Sequence, residues 1–330
     1  MMCVISKCSA AAAAGGYHME QKKITVVGIG GVGGLLAGVL IRRYGDSISL
    51  IARGSRADHL RTHGLSLHSD AYGEFTVTPA VVTDDPSGLP VQDLVLVCVK
   101  NDGLEAAAQQ ILPIVGPDTV VLPVMNGVTA AKKLHSILPT GTVLGCVIYT
   151  VSGAGRDFSI TQQGKFTELS IGSQVFDAVE QSKAEETAAL FMDAGIQCKA
   201  VEDVAAAIWT KYVLNCAYNV ATARWGCTIG GIKADESRVE DCRALLTESW
   251  KVGIANGVAL PEALPEKQLH RILKTSDDSD SSLGRDFSAG CVGEMEVFCG
   301  DVIRMADALD VDVPMTRKYY DALKEIASRF

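Results

Sequence analysis

Several things are missing from this chain, and each absence narrows the reading. Its ten cysteines include no Cys-x-x-Cys pair, so the usual spacing of zinc ribbons and dithiol redox sites is not there. No run approaches 18 unbroken apolar residues, so no membrane span is expected. No serine sits in a Gly-x-Ser-x-Gly elbow, which leaves a hydrolase reading without support. No basic run is long enough to track a phosphate backbone. With 30 Lys and Arg against 39 Asp and Glu the net charge is −9, and nucleic acid is not an expected partner. That sign does not exclude an anionic small substrate, because a few placed cations suffice to bind one. No internal repeat is found.

What is present describes an ordinary globular protein. The 330 residues are 48% hydrophobic and 21% charged, enough for two domains with a core that needs neither disulfides nor metal. Cysteines fall inside core-like runs such as LVLVCVK and VLGCVIY, the pattern of reduced, buried thiols in a cytoplasmic protein. The start, MMCVISKCSAAAAAGGYHME, breaks its apolar stretch at Lys7 and Cys8, whereas a signal peptide needs a longer apolar centre. A disordered extension over residues 1–21 is expected, with Met19 as a second start.

Short continuous apolar runs follow. KITVVGIG (23–30), ISLIA (48–52), DLVLVCVK (93–100), TVVLPVM (119–125) and TVLGCVIYT (142–150) read as strands, several of them separated by helix-like segments. That alternation predicts a parallel sheet covered on both faces. Residues 66–83 alternate and carry turn residues, as an inserted hairpin does, and 158–172 are expected to finish the sheet with antiparallel edge strands. After about residue 180 the strands are expected to stop. EETAALFMDAG, VAAAIWTKYVLNCAYNVATA, SRVEDCRALLTESWKVGIANG, GEMEVFCGDVIRMADALD and MTRKYYDALKEIASRF carry helical periodicity. The expected organisation is an α/β domain over 22–200 and an all-helical domain over 201–330.

Gly28-Ile29-Gly30-Gly31-Val32-Gly33 matches the G-x-G-x-x-G pattern directly after the first strand and at the opening of a helix. In that context the first glycine permits the turn, the second lets backbone approach a pyrophosphate, and the third lets helix and strand pack closely. The phosphates then face the helix N-terminus. A Rossmann-type doubly wound sheet is therefore expected. An NAD site usually carries an acid about 20 residues further on, at the end of the second strand. Here that place holds Arg53, 20 residues after Gly33, with Arg56 one turn later. Arginine suits a ribose 2′-phosphate, since its planar fork makes paired charge-assisted hydrogen bonds, so the expected cofactor is NADPH.

WTKYVLNCAYNVATA (209–223) raises a different question. Lys211, Asn215 and Asn219 recur every fourth residue on an otherwise apolar or small-residue helix, so they share one face over about 12 Å. A buried ammonium needs an acceptor nearby, and burial lowers its pKa toward a range useful for proton transfer. The spacing alone fits a proton donor flanked by substrate-orienting amides. It fits equally a structural lysine in an interhelical salt bridge with asparagines capping backbone groups.

The combination W-x-K-x-x-x-N-x-x-x-N behind a dinucleotide-binding half resembles the ketopantoate reductase (2-dehydropantoate 2-reductase) family. The resemblance runs from about Lys22 to the C-terminus. It takes in Gly28 to Gly33, Arg53, Lys100 and Asn126-Gly127, the Trp209–Asn219 stripe, Ser281-Ser282 with Asp286, and Glu294, Gly300 and Pro314. It implies a 6-phosphogluconate-dehydrogenase-like arrangement of the two halves and NADPH-dependent reduction of 2-dehydropantoate to pantoate, a pantothenate precursor. By motif, Lys211 would be the general acid. Glu294 would sit across the cleft and pair with Lys211 in the empty site. Asn126, Asn215, Asn219 and Ser282 would hold substrate. The glycine loop, Arg53, Lys100, Asn126 and Glu294 would meet the cofactor. By family analogy alone the C-terminal helices support a homodimer. Two departures bear on the substrate. Ser-Ser-Leu-Gly-Arg-Asp (281–286) stands where members often have Ser-Ser-Met-x-Gln-Asp, and Gln162 stands where a histidine is common.

Other candidates carry less. His59 and His63 are four apart but lack a third ligand, Asp277, Asp278 and Asp280 lack the glycine and terminal glutamate of a calcium loop, and Glu296 should point away from Glu294. The rival readings are a family reductase of another branched 2-oxo acid, a non-catalytic NADPH-binding sensor, and a 6-phosphogluconate-type dehydrogenase. The presence of both Lys211 and Glu294 counts against the sensor. No further cations for a sugar phosphate are found near the stripe.

Overall fold

The computed structural model describes residues 22–330, so the extension expected over 1–21 lies outside the described residues. The first half runs β1 (Ile24–Val27), α1 (Gly31–Tyr44), β2 (Ile48–Ile51), α2 (Gly54–His63), β3 (Leu65–Ser69), β4 (Gly73–Val77) and β5 (Val81–Thr83). It continues through β6 (Leu94–Val97), α3 (Leu104–Ile111), β7 (Val120–Pro123), α4 (Ala130–Ile137), β8 (Thr142–Val143), β9 (Gly145–Ala154), β10 (Ile160–Gly172), α5 (Ala178–Asp193) and β11 (Gln197–Ala200). Six strands form one parallel sheet in the order β5-β2-β1-β6-β7-β8.

The continuous apolar runs are explained by burial on both faces. In β1, β2 and β6, Ile24, Val26, Ile48, Leu50, Leu94 and Leu96 join one core with α1, while Val27, Ile51, Val95 and Val97 join another with α3 and α4. Strand order reverses between β1 and β6, the crevice in which open parallel sheets bind ligands at their carboxyl ends.

The alternating stretches form a second, five-stranded sheet and do not finish the first. β3 and β4 make the expected antiparallel hairpin, but Val81–Thr83 leaves it to pair in parallel with β2. Residues 158–172 contain one long strand, β10. It is antiparallel to β9 and parallel to both β3 and β11. The reason is packing: α1 is covered on its outer side, touching β3, β4, β9 and β10 as well as the parallel sheet. Gln162 helps to hold this layer. It is buried, accepts from Ser69 and the Ala71 amide, and donates to the carbonyls of Gln163, Gly164 and Phe166. A strand also occurs later than expected, since β11 lies beyond residue 180.

From Val204 the chain is helical: α6 (Val204–Trp225), α7 (Ile229–Lys233), α8 (Glu236–Ala255), α9 (Leu264–Lys274) and α10 (Ser282–Ser288). A π-helical turn (Glu296–Gly300) runs into α11 (Asp301–Ala308), and α12 (Pro314–Ala327) ends the chain. α9 and α10 are helices that the periodic segments above do not include. α6 starts at Asp203, whose carboxylate accepts from the Ala206 amide, and stops at left-handed Gly226. It packs Trp209, Tyr212, Val213, Cys216 and Val220 into the helical core and touches β9 and β10 on its other side. The polar stripe is thereby carried to the junction of the two halves.

Candidate active site

A cleft of about 890 Å³ opens at the carboxyl ends of β1, β2 and β6. Gly28, Ile29, Gly30, Arg53 and Lys100 all line it. Gly28 has φ +86°, and a Cβ there would lie 2.8 Å from Val99. On Gly33 a Cβ would lie 2.0 Å from the Gly28 carbonyl oxygen, so that glycine is demanded by helix–strand packing. Gly30 differs: its φ is −91°, and a Cβ there would meet no protein atom within 4 Å. No described residue requires glycine at that point, and the space it leaves suits backbone approach to a bound phosphate. The rest of the motif is divided. Gly31 lies against Ser152 and Gly153 of β9, and Val32 faces a second cleft.

Arg53 is exposed at the N-cap of α2. Arg56 lines the same cleft, and its Nη1 is buried without a hydrogen-bond partner among the described residues. A pair of cations with one unsatisfied donor is the chemistry that a phosphate would fill. Lys100 is largely exposed and lies 3.6 Å from Asp286 of α10, joining the two halves at the cleft's rim.

The second cleft, about 280 Å³, brings together Asn126, Lys211, Asn215, Asn219 and Ser282, all residues singled out in the sequence. Lys211 Nζ donates to Asn126 Oδ1 at 3.1 Å. Asn126 Nδ2 in turn donates to Glu294 Oε2 at 2.8 Å. Lys211 and Glu294 therefore do not form the direct pair expected from the sequence; the Asn126 amide stands between them, supplying an acceptor to one and a donor to the other. Burial pulls the Lys211 ammonium down to about 8; Cys146 and the Glu294 carboxylate partly oppose that fall, and Arg271 adds to it.

The two asparagines of the stripe behave differently. Asn219 is buried, and its Oδ1 accepts from Ser282 Oγ at 3.0 Å and from the Leu283 amide at 3.2 Å. It anchors the start of α10, as does Thr222, whose hydroxyl meets Ser281 Oγ at 2.7 Å. The capping reading of the stripe thus holds at Asn219. Asn215 opens onto the cleft beside Lys211. Arg285 lines the cleft as well.

Two site residues were not picked out from the sequence. Asn101 donates to Glu294 Oε1 at 3.2 Å and to the Asn126 carbonyl at 3.0 Å. Its signal was its place directly after strand-end Lys100, where ligands gather in parallel sheets. The Tyr149 ring centroid lies 5.7 Å from Lys211 Nζ and 5.3 Å from Arg271 Cζ, and nothing in the sequence marked it. Glu296 turns away as expected, to Arg304 and Tyr320. His59 and His63 stack at 4.7 Å, and among the described residues no group of three ligand-type side chains is placed to hold a metal. The eight described cysteines are free thiols.

The family model for ketopantoate reductase PanE/ApbA matches residues 24–174, and its C-terminal counterpart matches 203–327. The chain belongs to the ketopantoate reductase family. It is thus an oxidoreductase, in a family that uses a nicotinamide cofactor. Among ketopantoate reductase relatives, the 2-dehydropantoate 2-reductase of Mesorhizobium japonicum is 27% identical over 88% of this chain and 94% of its own. That of Halobacterium salinarum is 28% identical over 92% and 98%. The crystal structure of a PanE/ApbA family ketopantoate reductase from Ralstonia eutropha superposes with a TM-score of 0.82 at 29% identity, covering 93% of this chain and 98% of that one. Among the described residues no helix is long and apolar enough to cross a membrane.

Proposed function

We propose that this protein reduces 2-dehydropantoate to pantoate with NADPH, residues 22–200 holding the cofactor and 201–330 supplying the proton donor. The observation that carries the reading is the Lys211 ammonium. It is lowered to about 8, fixed by Asn126, and set in a small polar cleft beside the glycine-loop half. Bound NADPH would supply the hydride. As negative charge develops on the ketone oxygen, the Lys211 ammonium stabilises it and then gives up its proton. Asn126 aims Nζ. Asn215, Ser282 and the amide nitrogen of Asn219 orient carboxylate and hydroxyl without adding competing charge. Glu294 accepts from Asn126 and Asn101, which fixes the Asn126 amide with its oxygen toward Lys211.

Arg53 and the unsatisfied Arg56 support NADPH over NADH, because both are cations where an NAD site carries an acid. Another branched 2-oxo acid is the second reading, favoured by Arg285, a cation inside the substrate cleft where the family often has glutamine. The family reading also implies a homodimer, which light scattering would register as twice the 34.9 kDa chain mass.

The test is cofactor oxidation followed by absorbance with 2-dehydropantoate and a panel of other 2-oxo acids, each with NADPH and NADH. Turnover highest with 2-dehydropantoate and NADPH supports the reading. Faster turnover of a different oxo acid moves the substrate to the second reading. No turnover on any ketone, with NADPH still bound, contradicts both and leaves a sensor.

A further inference from the structure

Two arginines lie at the start of α2, Arg53 as its N-cap and Arg56 in its first turn, but they are held differently. Arg53 is exposed, whereas the Arg56 guanidinium lies over the Phe158 ring with Cζ 4.9 Å from the centroid. Phe158 comes from the other sheet, at the tip of the β9–β10 hairpin. There it adopts φ +67°, a left-handed conformation that is unfavourable for a non-glycine residue. The turn enforces it: the Gly155 amide donates to the Ser159 carbonyl at 2.8 Å and the Phe158 amide to the Gly155 carbonyl at 3.1 Å. His59, one turn along α2 from Arg56, also meets Phe158, with ring centroids 5.2 Å apart. A strained residue that pins a cation is a reason to ask what the cation holds.

Arg56 Nη1 is buried with no acceptor among the described residues. Asp58, the acid nearest in sequence, pairs with Arg61 at 3.0 Å instead. A buried guanidinium donor left unpaired is costly, so an acceptor belongs there when the site is filled. The cleft that Arg56 lines also contains Gly28 and Gly30, which lie at the start of α1, where a pyrophosphate would sit. Arg56 is instead in the first turn of α2, just beyond the end of β2, where the adenosine ribose of a dinucleotide lies.

We infer that Arg56, clamped by Phe158, is a second specificity-determining group for a phosphate on the ribose 2′-oxygen, sharing that work with Arg53. This rests on the NADPH reading above. It adds that the second sheet takes part in choosing the cofactor: Phe158 is a positioning residue, and removing its ring frees Arg56 to swing into solvent. The ligand class is an adenosine 2′-phosphate, and no reaction step is involved.

Calorimetric titration with adenosine 2′,5′-bisphosphate and with AMP isolates the contribution, since the two differ only by the 2′-phosphate and need no catalysis. Wild type is expected to prefer the bisphosphate. Arg56→Gln and Arg56→Ala should each cut that preference about tenfold or more, the scale of lost charge-assisted hydrogen bonds, with AMP affinity unchanged as the folding control. Phe158→Leu should cut it about threefold, in line with a cation held less firmly, whereas Phe158→Tyr, which keeps the ring, should retain the wild-type preference. If wild type binds both ligands equally, the NADPH reading fails and this inference with it. If wild type discriminates and the Arg56 variants do too, this inference is overturned while NADPH remains assigned to Arg53. Phe158→Leu matching wild type, with Arg56→Gln impaired, overturns the clamp.

Discussion

Lys211 Nζ meets the side-chain oxygen of Asn126 at 3.1 Å, and the Glu294 carboxylate lies beyond the far end of that amide. A lysine paired directly with a carboxylate has its ammonium form favoured, which opposes proton release. An amide oxygen orients the ammonium without that strong attraction, so burial remains the main influence and the pKa falls to about 8. The arrangement leaves Lys211 charged at neutral pH and still able to give up a proton.

The pH dependence follows from the sign. The proton donor is the charged form, so kcat for ketone reduction should be level below about pH 7 and fall as Lys211 deprotonates near pH 8. The reverse oxidation, which needs the neutral amine, should rise over the same range. Steady-state profiles in both directions check this. A reduction rate that climbs through pH 8 would contradict it.

Asn126→Asp places a carboxylate where the amide oxygen now sits. It should raise the Lys211 pKa by about one unit or more and move the alkaline limb of the profile to higher pH. kcat should fall, because the proton is held more tightly. An unmoved limb would mean that Asn126 does not set the lysine's environment.

Asn219 and Asn215 should separate in a stability measurement. Asn219→Ala removes the acceptor for Ser282 and the Leu283 amide, and should cost about 1–3 kcal/mol in urea unfolding, the range for stranding a buried donor such as the Leu283 amide. Asn215→Ala should stay within about 0.5 kcal/mol. KM for the substrate should rise in both. Equal destabilisation would show that Asn215 is also a structural cap.

Lys211 itself is a cost to the fold. Its pKa of about 8, below the ordinary lysine value, means that the unfolded chain binds its proton more tightly. The penalty is complete below about pH 8 and fades as the pH rises toward the unfolded value. Lys211→Met should therefore be more stable than wild type at pH 7, by at most about 3 kcal/mol, and the gap should close near pH 10. Urea unfolding of both proteins at the two pH values checks it; a Met variant less stable at pH 7 would contradict it.

The sequence made some of this legible and not the rest. β1, β2, β6 and β7 were readable because strands buried on both faces need unbroken apolar runs, and the glycine loop was readable because its spacing is tied to one strand–turn–helix geometry. Lys211, Asn215 and Asn219 were readable as a face because helical period is local. The second sheet was not, because β10 takes three partners from distant parts of the chain and alternation says nothing about which. Nor was the Asn126 bridge: it depends on a strand-end turn meeting α6 and the turn ahead of the π-helical segment, both far along the chain. The Phe158 contact with Arg56 is of the same kind, joining residues 102 apart in sequence through the approach of two sheets.

One measurement tests the central claim most directly: NADPH oxidation with 2-dehydropantoate by wild type and by Lys211→Ala, with NADPH binding measured on both. The account predicts turnover by wild type, a kcat lower by roughly 10²–10⁴-fold in the variant, and unchanged NADPH affinity. A Lys211→Ala enzyme that keeps near wild-type kcat would contradict the assignment of the proton donor.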